Sequence, residues 1–189
     1  MKTYAGILLI VVCICQWYVP ASMIAEQESI LSEGKIFRFK TAPVDPSDPF
    51  RGKYITLSFE ADNLKNKTGH ELQRGQKVFV IVEEDDQGYA RISDITETLP
   101  DQGMDYVQAE VGFSNEEMVR IEYPFQRFYL EESKATDAEK VYWEGNRNDS
   151  TQTAYAVVRV RNGQTALEDV MINDRSILDI VRELNAKND

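Results

Sequence analysis

The first 25 residues hold the longest apolar run of the chain. Ala5 to Ala25, AGILLIVVCICQWYVPASMIA, contains 21 positions without a charge, with Lys2 before it and Glu26 and Glu28 after it. At ~1.5 Å per residue a helix of that length crosses a ~30 Å hydrocarbon layer, so the run predicts a single-pass transmembrane helix. Lys2 then stays on the cytoplasmic side, the remainder crosses, and Trp17 and Tyr18 fall toward the outer interface. The competing reading is a cleaved signal peptide ending at Val19-Pro20-Ala21 or Met23-Ile24-Ala25. Pro20 and Met23 depart from the small-x-small pattern, which favours an uncleaved anchor over residues 1–25. Pro20 is expected to kink or end the helix near the interface.

Beyond the anchor, polar and apolar residues alternate at period two, the mark of strands with one buried face. Runs over 36–40 and 54–59 show it, and Lys77 to Val82 is denser, as for a central strand. Asp85-Asp86-Gln87-Gly88 offers turn chemistry before a strand over 89–93, which predicts a hairpin. Strands are expected over 106–113 and 118–123 around Ser114-Asn115-Glu116-Glu117. Thr153 to Arg161 leads into Asn162-Gly163, the strongest short hairpin signal in the chain, with a return strand reaching Ile172.

Two stretches break the alternation. Residues 131–143 are rich in Glu, Lys and Ala and predict a short surface helix. Ile177, Ile180, Val181 and Leu184 recur at helical spacing after a possible cap, Asp174 or Ser176, and predict an amphipathic C-terminal helix. No repeat or long linker divides residues 26–189, so the expectation is one β-rich α+β extracytoplasmic domain of antiparallel hairpins.

Charge and cysteine usage narrow the function classes. The 189 residues carry 21 Lys and Arg against 32 Asp and Glu, a formal net charge of −11, which disfavours binding to a phosphate backbone. Setting Lys2 aside leaves 20 basic and 32 acidic residues, net −12, for the exported part. Both cysteines, Cys13 and Cys15, lie inside the apolar run. The exported part therefore depends on core packing alone, without disulfide staples.

The stretch Thr41 to Phe59 is expected to carry recognition. Pro43, Pro46 and Pro49 restrict the backbone, while Asp45 and Asp48 can accept hydrogen bonds from nearby amides, so the loop is stiff. Arg51-Gly52 then turns tightly into a strand whose Tyr54, Thr56 and Ser58 face one way and Ile55, Leu57 and Phe59 the other.

This stretch resembles the GDYXXLXY family, bacterial proteins with a Gly-Asp-Tyr-x-x-Leu-x-Tyr strand after a Pro-Val-Asp-Pro loop and an N-terminal membrane segment. Pro43-Val44-Asp45-Pro46, Gly52, Tyr54 and Leu57 match the pattern. Lys53 stands where the family has aspartate, and Phe59 where it has its last tyrosine. Tyr123 to Glu132, YPFQRFYLEE, is similar to a second family segment through Arg127 and Glu132, with Gln126 and Phe128 departing from it. The resemblance implies a membrane-anchored extracytoplasmic domain with no assigned reaction, associated with integral membrane proteins.

Reactive chemistry finds little support. His70 is the only histidine and lacks partners for a zinc site. Glu83-Glu84-Asp85-Asp86 lacks the ligand spacing of a calcium loop and reads as an acidic turn. Ser47 lies beside Asp48 and no lysine stands in an apolar strand interior, which argues against a Ser-Lys hydrolase. The aromatic residues Tyr123, Phe125, Phe128, Tyr129, Tyr142 and Trp143 fit either a ligand groove or the core. Arg51 or Arg127 with Glu132 can form a bidentate bond that locks two loops or anchors a ligand.

These observations converge on a non-catalytic module in the cytoplasmic membrane of a bacterium, anchored by one helix, that binds or steadies an integral membrane partner. No metal, cofactor or nucleic acid is expected. Its contact surface is expected to comprise Asp45, Arg51, Gly52, Tyr54, Arg127, Tyr129 and Glu132. The alternatives are an enzyme acting on envelope glycan or peptide, and a small-ligand sensor. About four cytoplasmic residues are too few to transmit a signal unaided.

Overall fold

The Asn162-Gly163 signal is realised as a tight hairpin turn. Both residues take positive φ, 50° and 81°, the backbone that a two-residue turn matching strand twist requires. A computed structural model describes residues 2–42, 54–66, 72–129, 138, 141–142 and 153–188, with side chains from residue 12 to 186 within those spans.

A long helix, α1 (Lys2–Glu33), precedes a sheet of β1 (Lys35–Lys40), β9 (Ala154–Arg161), β10 (Gln164–Ile172) and β11 (Arg175–Ser176), in the order β1-β9-β10-β11. A five-stranded sheet has the order β3-β7-β6-β4-β5. Its members are β3 (Asn63–Lys65), β4 (Lys77–Glu84), β5 (Ala90–Thr96), β6 (Tyr106–Ser114) and β7 (Met118–Glu122). A short ribbon pairs β2 (Tyr54–Thr56) with β8 (Arg127–Tyr129), and α2 (Ile177–Asn188) closes the chain. All pairings between these strands are antiparallel. The α+β, β-rich class follows, with the expected hairpins at Asp85–Gly88 and Asn162-Gly163.

The inward faces of both sheets feed one core. Phe37 and Phe39 of β1, Val78, Val80 and Val82 of β4, Val107 and Val111 of β6, Val158 of β9 and Val170 of β10 are all at most 2% exposed. Phe39 packs its ring against Phe59, Tyr123 and Phe125 with centroids 5.7, 5.6 and 4.9 Å apart, spacings at which aromatic pairs attract beyond their area burial. Tyr123, Phe125, Phe128 and Tyr142 are thus core residues, while Trp143 lies outside the described residues. Ile177 and Val181 bury the inner stripe of α2, and the Ser176 hydroxyl accepts the Leu178 amide as its cap. Asp174, the other candidate cap, instead accepts the Tyr155 hydroxyl at 2.6 Å.

Three expectations need correction. The strand over 54–59 keeps its alternation, since Ile55, Leu57 and Phe59 are each 1% exposed, but it changes hydrogen-bond partner twice. Tyr54–Thr56 pairs with β8, Leu57 N–H donates to Gln126 O, and Phe59 bridges Thr41 before a 3-10 turn at Glu60–Asp62. Burial follows side-chain period; partner choice follows which backbone edges are near. The strand expected over 89–93 extends through Thr96, past a bulge opposite Ile81 and Val82. Pro20 lies inside α1 without ending it, because proline removes one backbone donor while the turns on either side stay bonded. Of the helix expected over 131–143, only Ala138, Val141 and Tyr142 are described, and all three are helical.

The last turns of α1 are seated on the β9–β10 hairpin. Ile30 is 3% exposed, Arg161 donates to Ser29 Oγ at 2.8 Å and pairs with Glu33 at 2.5 Å, and Gln164 Nε2 donates to Glu26 Oε1. One residue, Gly34, separates the helix from β1. Among the described residues, no helix is long and apolar enough to cross a membrane.

Candidate functional site

The β2–β8 ribbon brings together three of the residues expected at the contact surface. Antiparallel register sets Tyr54 opposite Tyr129 and Thr56 opposite Arg127. The two tyrosine rings lie 5.5 Å apart, and the Arg127 guanidinium sits 5.2 Å from the Tyr54 ring centre, within cation–π range. Tyr129 is 65% exposed, whereas its neighbour Phe128 is buried, as strand alternation demands. Asp45, Arg51, Gly52 and Glu132 lie outside the described residues, as do His70 and Ser47.

Arg127 and Tyr129 also line a cleft of about 580 Å³. Its floor is the outer face of the five-stranded sheet, where Lys77, Phe79, Gln108, Glu110 and Glu122 project, and its wall is the Pro124–Tyr129 corner. The volume is that of an ordinary small-ligand or peptide pocket. Lys77, Glu110 and Glu122 were missed in the sequence because each is simply the polar half of an alternating strand. Their convergence depends on register, which pairs Lys77 with Glu110 and Glu110 with Glu122. Among the described residues, no carboxylate lies within ion-pair distance of Lys77 or Arg127, and no cation lies within that distance of Glu110 or Glu122.

Behind this surface lies a buried carboxyl that sequence reading also passed over. Asp62 closes the 3-10 turn, its Oδ2 accepting the Phe59 amide at 2.9 Å and the Ser58 hydroxyl at 3.3 Å, while Oδ1 is buried without a partner. Burial pushes the carboxyl up to about 6, against the opposing pull of those two hydrogen bonds and of Arg120. Burial also holds the Tyr123 phenol well above its ordinary value, with the nearby Asp62 charge adding to it. The Tyr123 hydroxyl donates to Ala61 O at 2.9 Å. Asp62 braces the turn between β2 and β3 and does not line the cleft.

The acidic turn at Glu83–Asp86 is structural. Asp85 Oδ1 accepts the Gln87 and Tyr89 amides at 2.8 and 2.9 Å, so this carboxylate is engaged by its own backbone. Among the described residues, no group of three or more His, Cys, Asp or Glu side chains is arranged to hold a metal ion.

The geometry gives the resemblance a physical content. The matched Tyr54 belongs to the exposed ribbon, Leu57 is fixed in the core, and Phe59 joins the aromatic cluster. No curated protein and no solved structure gives a significant match to the chain. The profile of the GDYXXLXY protein family matches residues 16–170, and the chain belongs to that family.

Proposed function

We propose that the protein is a non-catalytic, membrane-anchored extracytoplasmic module that binds or steadies an integral membrane partner. The observation that carries this reading is the joint between α1 and the β9–β10 hairpin. A helix of 32 residues, with an uncharged stretch at Ala5–Ala25, is continued by a seat that buries Ile30 and engages Glu26, Ser29 and Glu33. Burying one isoleucine is worth ~2 kcal/mol, and the ion pair adds at most ~1 kcal/mol. A joint of that strength with a one-residue connection favours a fixed pose over a swinging tether. The apolar positions of α1 are spread round its axis, a distribution suited to lipid or neighbouring helices on all sides.

The test is extraction of tagged full-length protein in mild detergent, with mass spectrometry of its N-terminus and of what accompanies it. An intact Met1 and a stoichiometric integral membrane protein are the expected result. A processed N-terminus on a solitary monomer defeats the proposal. The placement of Glu110 opposite Glu122 in a cleft favours a second reading, an enzyme acting on envelope glycan or peptide. Turnover of peptidoglycan fragments that is abolished by Glu110→Gln or Glu122→Gln would establish it.

A further inference from the structure

The cleft sets one opposite-charge pair, Lys77 across from Glu110, beside one like-charge pair, Glu110 across from Glu122, which a sheet does not favour. Lys77, Glu110 and Glu122 form one row across three strands. Residues directly opposite have Cβ atoms ~5 Å apart, a spacing at which like charges destabilise a sheet. Glu122 nevertheless leans over the bulge residue Gly112, where an added Cβ would meet its Oε1 at 2.7 Å and its Cγ at 2.9 Å. The glycine leaves room for the carboxylate to stay on this face. On the wall, the Tyr54 ring supports Arg127 without neutralising it. Elsewhere on the surface some charges are paired, as Lys35 with Asp105 at 2.6 Å and Arg91 with Glu83 at 3.0 Å.

Two cations and two carboxylates sum to zero in a chain whose net charge is −11. A ligand of a single sign engages only half of them. A neutral glycan displaces water from all four without returning an ionic partner, at a cost in desolvation. A peptide segment that carries both signs satisfies every group: an ammonium or guanidinium between Glu110 and Glu122, and a carboxylate at Arg127.

The location agrees. Gln108, on the cleft floor, donates its amide to Gly163 O at 2.8 Å, and the next residue, Gln164, holds Glu26, the first charge after the uncharged stretch. On the anchored reading, that end of the cleft is its membrane-proximal end.

We propose that this cleft binds a short peptide segment of mixed charge, supplied by an extracytoplasmic loop or terminus of the membrane partner. The identity of the supplier rests on the anchored-module reading; the peptide chemistry does not. The test pans a randomised dodecapeptide library on full-length protein in mild detergent, with a tetramer of N-acetylglucosamine as the contrasting ligand. Enriched peptides are expected to carry both a basic and an acidic residue. Their affinity is expected to fall at least tenfold with Glu122→Gln and, separately, with Arg127→Ala, and to weaken between 50 and 500 mM salt as Debye screening of ~10 Å at 0.1 M shortens. Unchanged melting temperatures exclude a folding defect.

No enrichment, enrichment indifferent to both substitutions, or binding of the sugar in their place overturns the proposal. Peptide binding by a protein that extracts alone keeps the cleft and sinks the anchored-module reading. A membrane partner retained undiminished by both variants does the reverse.

Discussion

The joint under α1 and the cleft on the five-stranded sheet are both polar surfaces, yet they treat charge in opposite ways. At the joint, Arg161, Glu33, Ser29, Gln164 and Glu26 are engaged with one another around the buried Ile30. In the cleft, four charged side chains stand together without ion pairs among the described residues, and two of equal sign face each other across a strand pair. A surface that consumes its hydrogen bonds holds the molecule together. One whose charges are left to water is available to something else, at the small cost of one like-charge pair.

The contrast can be broken most forcefully at Ile30. Ile30→Asp places a charge in an apolar seat and should destabilise by about 3–5 kcal/mol, read as a melting-temperature drop of roughly 10 °C in detergent. Faster proteolysis between Glu26 and Lys35 should accompany it. An unchanged melting curve would mean that the helix is a free tether and that the joint does not hold.

Gly163 lies between the two regions. Its φ is 81°, and an added Cβ would lie 2.4 Å from the Tyr106 ring, so Gly163→Ala should cost ~1–3 kcal/mol, measured by chemical denaturation. An intermediate loss, smaller than that of Ile30→Asp, supports a hairpin tip packed against both elements.

Asp62 tests the packing behind the cleft through pH. Its carboxyl lies at about 6 in the folded chain against an ordinary value of 3.8, so the native state holds the proton more tightly than the unfolded state. The penalty of ionising it is absent below about pH 4, develops as the pH rises toward about 6, and is complete above that. After allowance for solvent screening it amounts to ~1–2 kcal/mol. Asp62→Asn keeps an oxygen for the Phe59 amide and should flatten this slope and raise stability at pH 7. A slope unchanged by the substitution would place the pH dependence elsewhere.

The finest test compares two surface changes of opposite sign. Arg161→Ala should lose about 0.5–1 kcal/mol, because a paired side chain is removed. Glu122→Gln should gain a few tenths of a kcal/mol by relieving the like-charge pair with Glu110, which keeps Lys77 across from it. Equal losses in denaturant titrations would erase the distinction between joint and cleft.

How much of this was legible depends on the range of the interaction. The Asn162-Gly163 turn could be read because two consecutive positive φ angles are demanded by local geometry, which few residue pairs tolerate. The stripe of Ile177 and Val181 was legible because one helix buries one face whatever it packs on. β3, β8 and the bulges at Gly112 and opposite Ile81 and Val82 were not, since three-residue pairings and register shifts respond to neighbouring backbone edges and leave almost no local pattern. The site divides in the same way. Tyr54, Arg127 and Tyr129 were named from a motif and its companion segment, whereas Lys77, Glu110 and Glu122 read as ordinary solvent-facing positions.

Alternation, turn chemistry, the uncharged N-terminal run and the charge balance were determined by the sequence alone, because each depends on residues a few positions apart. It also placed Leu57 and Phe59 in the core, since an apolar side chain on an alternating strand is buried whichever strand lies opposite. The tertiary structure decided which strands are neighbours, and with that the row of Lys77, Glu110 and Glu122, the seat of α1 on β9–β10 and the isolation of Asp62 Oδ1. Such features join residues separated by tens of positions, and chain-closure entropy discriminates only weakly among the distant pairings open to a given strand. Packing of the whole core selects one of them.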